Sequence, residues 1–149
     1  MTQLNRRGFT LIEMVILVVI IGIVSAVTLP LLSNALQQQR VRNAAAAVEN
    51  MYVKARTIAM QRSSITRIMG LQSGALTIYA LNPVTGAWEF VGQTEDIAGR
   101  YNVSITSTPY DTLWINHRGL GYNAEDTVTV WSGPDTVQLK ISKYGRITR

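Results

Sequence analysis

The chain contains no cysteine and a single histidine. The first absence excludes disulfides and thiolate metal sites, so packing alone must hold the fold. The second leaves His117, in the turn-like run Asn116-His117-Arg118-Gly119, as the sole imidazole. It has no cysteine with which to complete a familiar metal cluster, and nothing nominates a nucleophile for it to activate. Charge is also sparse, at 15% of residues, with nine acidic against fourteen basic side chains. The adjacent acid pairs Glu95-Asp96 and Glu125-Asp126 lack calcium-loop spacing and read as surface. The expectation is therefore a non-enzyme, with no catalytic residue, cofactor, metal or small-molecule substrate.

What the chain does have is one long apolar run. From Phe9 to Leu29, 21 residues carry a single ionisable side chain, Glu13. At about 1.5 Å per residue they suffice to cross a hydrocarbon core of roughly 30 Å. A secretory signal would have a shorter apolar core and a small-x-small cleavage site, which Ser25-Ala26-Val27 reproduces poorly. The run reads as a single membrane-spanning helix. A carboxylate at membrane depth costs about 3 kcal/mol or more, so Glu13 needs either a partner or a place near the interface. Orientation by charge is a tie, because Arg6 and Arg7 flank one end and Arg40 and Arg42 follow the other.

Arg7-Gly8-Phe9-Thr10-Leu11-Ile12-Glu13, with the apolar run behind it, closely resembles the N-terminal signature of type IV pilins and pseudopilins. The resemblance implies a leader over residues 1–8, cut on the cytoplasmic side after Gly8 by a prepilin peptidase, and N-methylation of Phe9. It implies a single-pass protein of the inner (cytoplasmic) membrane with its head outside, periplasmic or extracellular. It further implies that Glu13 neutralises the terminal amine of a neighbouring pilin as helices pack into a filament, the pairing that a buried charge requires. Gly22 and Pro30 fall where pilin helices loosen or bend, and each residue type has that capacity.

Beyond the span, Val41, Ala44, Ala45, Val48, Met51, Tyr52, Ala55, Ile58 and Ala59 form one stripe at helical period. The helix is expected to continue over residues 30–62 as an amphipathic segment laid on a sheet. Short β-rich runs broken by Gly, Pro, Asn and Asp follow, at 65–69, 75–81, 87–91, 101–106, 112–115, 127–131, 137–142 and 146–148. The fold class is α+β: a long N-terminal helix packed on an antiparallel β-rich head over residues 63–149. The runs "ARTIAMQRSS", "LWINHRGLGYNAEDTVTVW" and "VQLKISKYGRITR" are similar in order and character to the GspH/FimT family of minor pseudopilins. That likeness implies a structural subunit of a type IV pilus or type II secretion pseudopilus, at its tip or initiation complex.

Charge is distributed unevenly. Residues 40–67 sum to +5 and 140–149 to +4, whereas 68–139 sum to −5. Lys140, Lys143, Arg146 and Arg149 recur every three residues, Tyr144 offers a stacking ring and Gly145 a turn. Some members of the resembling family that serve DNA uptake carry a Gly-Arg-x-Arg tail. Here Gly145-Arg146-Ile147-Thr148-Arg149 is one residue longer between the arginines. Double-stranded DNA is therefore one candidate partner, and a solvated edge strand whose charges discourage sheet-to-sheet pairing is the other reading.

Overall fold

The computed structural model describes residues 9–122 and 125–149. Helix α1 covers Leu11–Gln61, ending one residue before the expected limit. Nine strands and a short helix follow: β1 (Thr66–Met69), β2 (Ala75–Leu81), β3 (Trp88–Phe90), β4 (Glu95–Asp96), α2 (Ile97–Tyr101), β5 (Ser104–Thr108), β6 (Thr112–Ile115), β7 (Glu125–Ser132), β8 (Asp135–Ser142) and β9 (Ile147–Thr148). All pairing among the described strands is antiparallel. The first sheet has the order β3-β2-β1-β6 with β4 also on β2; the second runs β5-β7-β8-β9.

Contacts divide the chain into two compact units, Met1–Leu36 and Gln37–Arg149. In the first, the apolar side chains of α1 are exposed, Leu11, Ile16, Val18 and Ile23 among them. With a mean hydropathy of 2.9 over an 18-residue stretch, the helix is long and apolar enough to cross a membrane.

In the second unit the anticipated helical stripe forms the core. Val41, Ala44, Ala45, Val48, Met51, Tyr52, Ala55 and Ala59 are buried, and Ile58 is partly so. Alanines at four of these positions let the sheets approach the helix closely, and Ile68, Leu76, Ile78, Leu113, Ile115, Val128, Val130 and Leu139 meet them. The strand faces alternate as the sequence pattern requires, buried–intermediate in β1 and β2.

Two expectations need correction. The strand expected over 101–106 begins at Ser104, because Tyr101 closes α2. Asn102 then turns the chain in the left-handed region at φ 52°. The acid pairs are not uniformly surface. Asp96 caps α2, its Oδ1 accepting from the Gly99 N–H at 2.8 Å, and Asp126 is buried on the inward face of β7.

Candidate functional site

At the start of α1, Thr10 and Glu13 cap the helix reciprocally. The Glu13 N–H donates to Thr10 Oγ1 at 3.3 Å. The Thr10 N–H and Oγ1–H both donate to Glu13 Oε2, at 2.8 and 2.9 Å. This is a capping box, in which the side chains of Ncap and N3 satisfy each other's backbone donors. It was legible as the spacing Thr-x-x-Glu, although reading the span by hydropathy passes over it. Its geometry uses one carboxylate oxygen twice, and Oε1 takes no hydrogen bond among the described residues. Glu13 shares a shallow concavity with the apolar side chains of Phe9, Ile16, Leu17, Ile20 and Ile21. Phe9 itself is exposed. Gly8, the expected cleavage position, lies outside the described residues. Gly22 has open space around it and Pro30 falls within α1.

The basic tail does not form one continuous patch. Ser142 and Arg146 close a hairpin, with the Ser142 N–H donating to the Arg146 carbonyl at 2.9 Å and the Gly145 N–H to the Ser142 carbonyl at 2.8 Å. Gly145 adopts φ 73°, a left-handed turn position. The register pairs Lys140 with Thr148, so Lys140 and Arg146 share the solvent face of the sheet. Lys143 and Tyr144 occupy the turn, and both are exposed. One residue beyond Thr148 the chain faces the other way. Arg149 there makes a bidentate pair with Glu49 of α1, Nε at 2.8 Å from Oε1 and the second nitrogen at 2.9 Å from Oε2. Hydrogen bonding to that carboxylate holds the Arg149 guanidinium above its usual range.

The helix also threads its Arg56 between two glycines. A methyl group on Gly119 would come within 2.9 Å of Arg56 Cγ and Nε, and one on Gly145 within 3.0 Å of the Gly119 carbonyl oxygen. The hairpin that carries the tail is thereby docked on α1. Buried beside this arm, the Tyr52 hydroxyl has no hydrogen-bond partner among the described residues; burial raises its pKa, Arg56 opposes the shift and Asp126 adds to it.

A third cluster was not anticipated. Arg67 stands directly opposite Tyr79 and Trp114 in the register, and its guanidinium lies 4.1 Å from the ring centre of Trp88, 5.5 Å from Tyr79 and 5.6 Å from Trp114. Only the pairing of four separate strands brings these residues together. His117 is exposed, and no group of three or more His, Asp or Glu able to hold a metal occurs among the described residues.

The sequence profile of the prokaryotic N-terminal methylation motif matches residues 3–29. Two crystal forms of the type IV minor pilin FimU of Pseudomonas aeruginosa share the fold. One aligns with a TM-score of 0.59 and 18% identity over 75% of this chain and 89% of that one. The other gives 0.56 and 20% over 72% and 90%. No curated protein sequence matches the chain significantly. The motif accounts for the N-terminal segment, and the fold of the rest is pilin-like, an apolar N-terminal helix followed by an antiparallel β head. The particular solved structures it resembles are of a minor pilin.

Proposed function

We propose that the chain is a minor pilin that enters a filament through α1. A prepilin peptidase cuts after Gly8, Phe9 becomes the N-methylated terminus, and Glu13 pairs with that terminus on a neighbouring pilin. One observation carries this reading: Thr10 holds Glu13 through a single carboxylate oxygen, and Glu13 shares a concavity with otherwise apolar side chains. A carboxylate so placed costs desolvation until a cation from another chain meets it. Residues 9–29 anchor the chain in the inner membrane, α1 continues beyond them to Gln61 with Gly22 and Pro30 as its points of bending, and the head lies outside. Its place is the tip or initiating complex of a type IV pilus or a type II secretion pseudopilus.

Three variants separate capping from pairing. Glu13→Gln keeps an acceptor for Thr10 and loses the charge; it should insert normally and fail to enter filaments. Thr10→Ala loses the cap and keeps the charge; it should lower helix stability by about 1 kcal/mol and still assemble. Glu13→Ala should insert but not assemble. Normal filament entry by Glu13→Gln would reduce Glu13 to a cap and sink the pairing.

A second reading is DNA contact by the exposed tail, favoured by Lys140 and Arg146 sharing one face with Lys143 and Tyr144 at the adjoining turn. Duplex DNA titrated over a salt series tests it. Binding that weakens with salt, and whose slope falls by about one on Arg146→Ala, supports it. No binding at low salt removes it.

A further inference from the structure

The second sheet ends unevenly. Strand β9 pairs only with Lys140 and Ile141, so the rest of β8, from Asp135 to Leu139, has no strand on its outer side among the described residues. Backbone directions follow from the hairpin. The bonded Ser142–Arg146 pair directs the Lys140 backbone toward Thr148. By the two-residue alternation of an antiparallel ladder, the N–H and C=O groups of Gln138 and Thr136 also point away from β7. Among the described residues, neither backbone is bonded to another element.

This open edge borders two clefts against α1. One, of about 410 Å³, is lined by Arg42, Thr136, Val137, Gln138 and Arg149. The other, of about 190 Å³, continues along Gln38, Val41, Arg42 and Asp135. The β7–β8 turn is pinned at its base, where Gln37 Nε2 donates to the Ser132 carbonyl at 2.5 Å. Gly133, at φ 56°, leaves room for that amide, since a methyl group there would meet Gln37 Nε2 at 2.5 Å. Arg149 is neutralised by Glu49, but Arg42 makes no ion pair among the described residues.

We propose that this edge accepts an extended segment of another filament subunit as an added strand, with a carboxylate of that segment meeting Arg42. The unbonded amides and carbonyls of Thr136 and Gln138 select an extended peptide over lipid or nucleic acid, which lack the alternating donor–acceptor row. The free Arg42 guanidinium beside them selects an acidic peptide. The filament reading supplies the source of the strand; the Glu13 variants test that reading independently of the edge.

The test uses the full chain in detergent micelles and a blocked nonapeptide alternating valine with glutamate and threonine. Amide hydrogen exchange at Thr136 and Gln138 should slow on addition of the peptide. Replacing its glutamates by lysine, or changing Arg42→Gln in the protein, should each weaken binding by about fivefold, the worth of one partly exposed charge pair. Arg42 is exposed on α1, so Arg42→Gln should fold normally. Absence of protection, protection confined to β5 or β6, or equal binding of the acidic and basic peptides would each overturn the proposal. Concentration-dependent protection of the same amides without peptide would also overturn it, in favour of a second copy of this chain.

Discussion

Arg149 and Glu49 lie one hundred residues apart in sequence and form the bidentate pair that ties the tail to α1. Two unit charges about 4 Å apart attract by about 4 kcal/mol at an effective dielectric near 20. The side chains are 51% and 25% exposed, and solvent screening on that scale reduces the net coupling to about 1 kcal/mol. The perturbation is a double-mutant cycle of Glu49→Ala, Arg149→Ala and both together, read by thermal denaturation of residues 37–149. Each single variant should lower Tm by about 3–5 °C and the double variant by little more, giving a coupling near 1 kcal/mol. A coupling below about 0.2 kcal/mol would show that the tail is not anchored. The cycle also bears on nucleic acid. If the tail binds DNA, Arg149 must first leave Glu49, so Arg149→Ala should reduce the salt slope less than Arg146→Ala does. Glu49→Gln should then increase binding. Equal effects of the two arginine substitutions would contradict the anchored geometry.

Tyr52→Phe removes a buried hydroxyl without a partner among the described residues, and should stabilise the head by about 1 kcal/mol in urea denaturation at pH 7. Burial raises the Tyr52 pKa above 10.0, so the folded state keeps its proton longer than the unfolded chain does. Stability from this group is complete below pH 10 and falls above it; the phenylalanine variant should lose less there, and an unchanged alkaline limb would refute the assignment. Gly74→Ala places a methyl group 2.1 Å from Ala98 Cβ at a residue with φ 75°, and should cost about 3 kcal/mol by chemical denaturation. Adding Ala98→Gly should recover part of that loss, and no recovery would mean the clash is not the cause. Arg67→Ala should cost about 1–2 kcal/mol and change tryptophan fluorescence, because the guanidinium stacks closely on Trp88 and near Trp114; an unaltered spectrum would refute the stacking.

The parts legible in the sequence are those governed by short-range pattern. The alanine stripe needed only a 3.6-residue period, and the Val137, Leu139 and Ile141 alternation only a period of two. Features set by register were not legible. Arg67, Tyr79, Trp88 and Trp114 belong to three strand pairings, and no local signal says that they share a face. Regular spacing of four basic residues suggested one surface for the tail. A strand, however, sends successive residues to opposite sides, and Arg149 therefore turns to α1 while Arg146 remains outside. Asp126 misled for the same reason, since its neighbour Glu125 is exposed and only the face of β7 decides between them.

The tail and the open β8 edge meet at Arg149, yet they ask for different partners. A duplex seated on Lys140 and Arg146 would lie across the solvent face of the second sheet, where cations serve as a row of charges and backbone groups play no part. A strand beside Gln138 and Thr136 would lie in the plane of that sheet, against α1, and would draw on backbone groups with one cation at the margin. The Glu49 anchor favours the second arrangement. It withdraws Arg149 from the solvent face and sets it in the lining of the cleft that Thr136 and Gln138 share. Arg146→Ala should therefore leave peptide binding at β8 unchanged, and Arg42→Gln should leave any DNA binding at the tail nearly so. If both substitutions weakened both ligands alike, the region would be a diffuse basic surface, and neither geometry would be acting as a site.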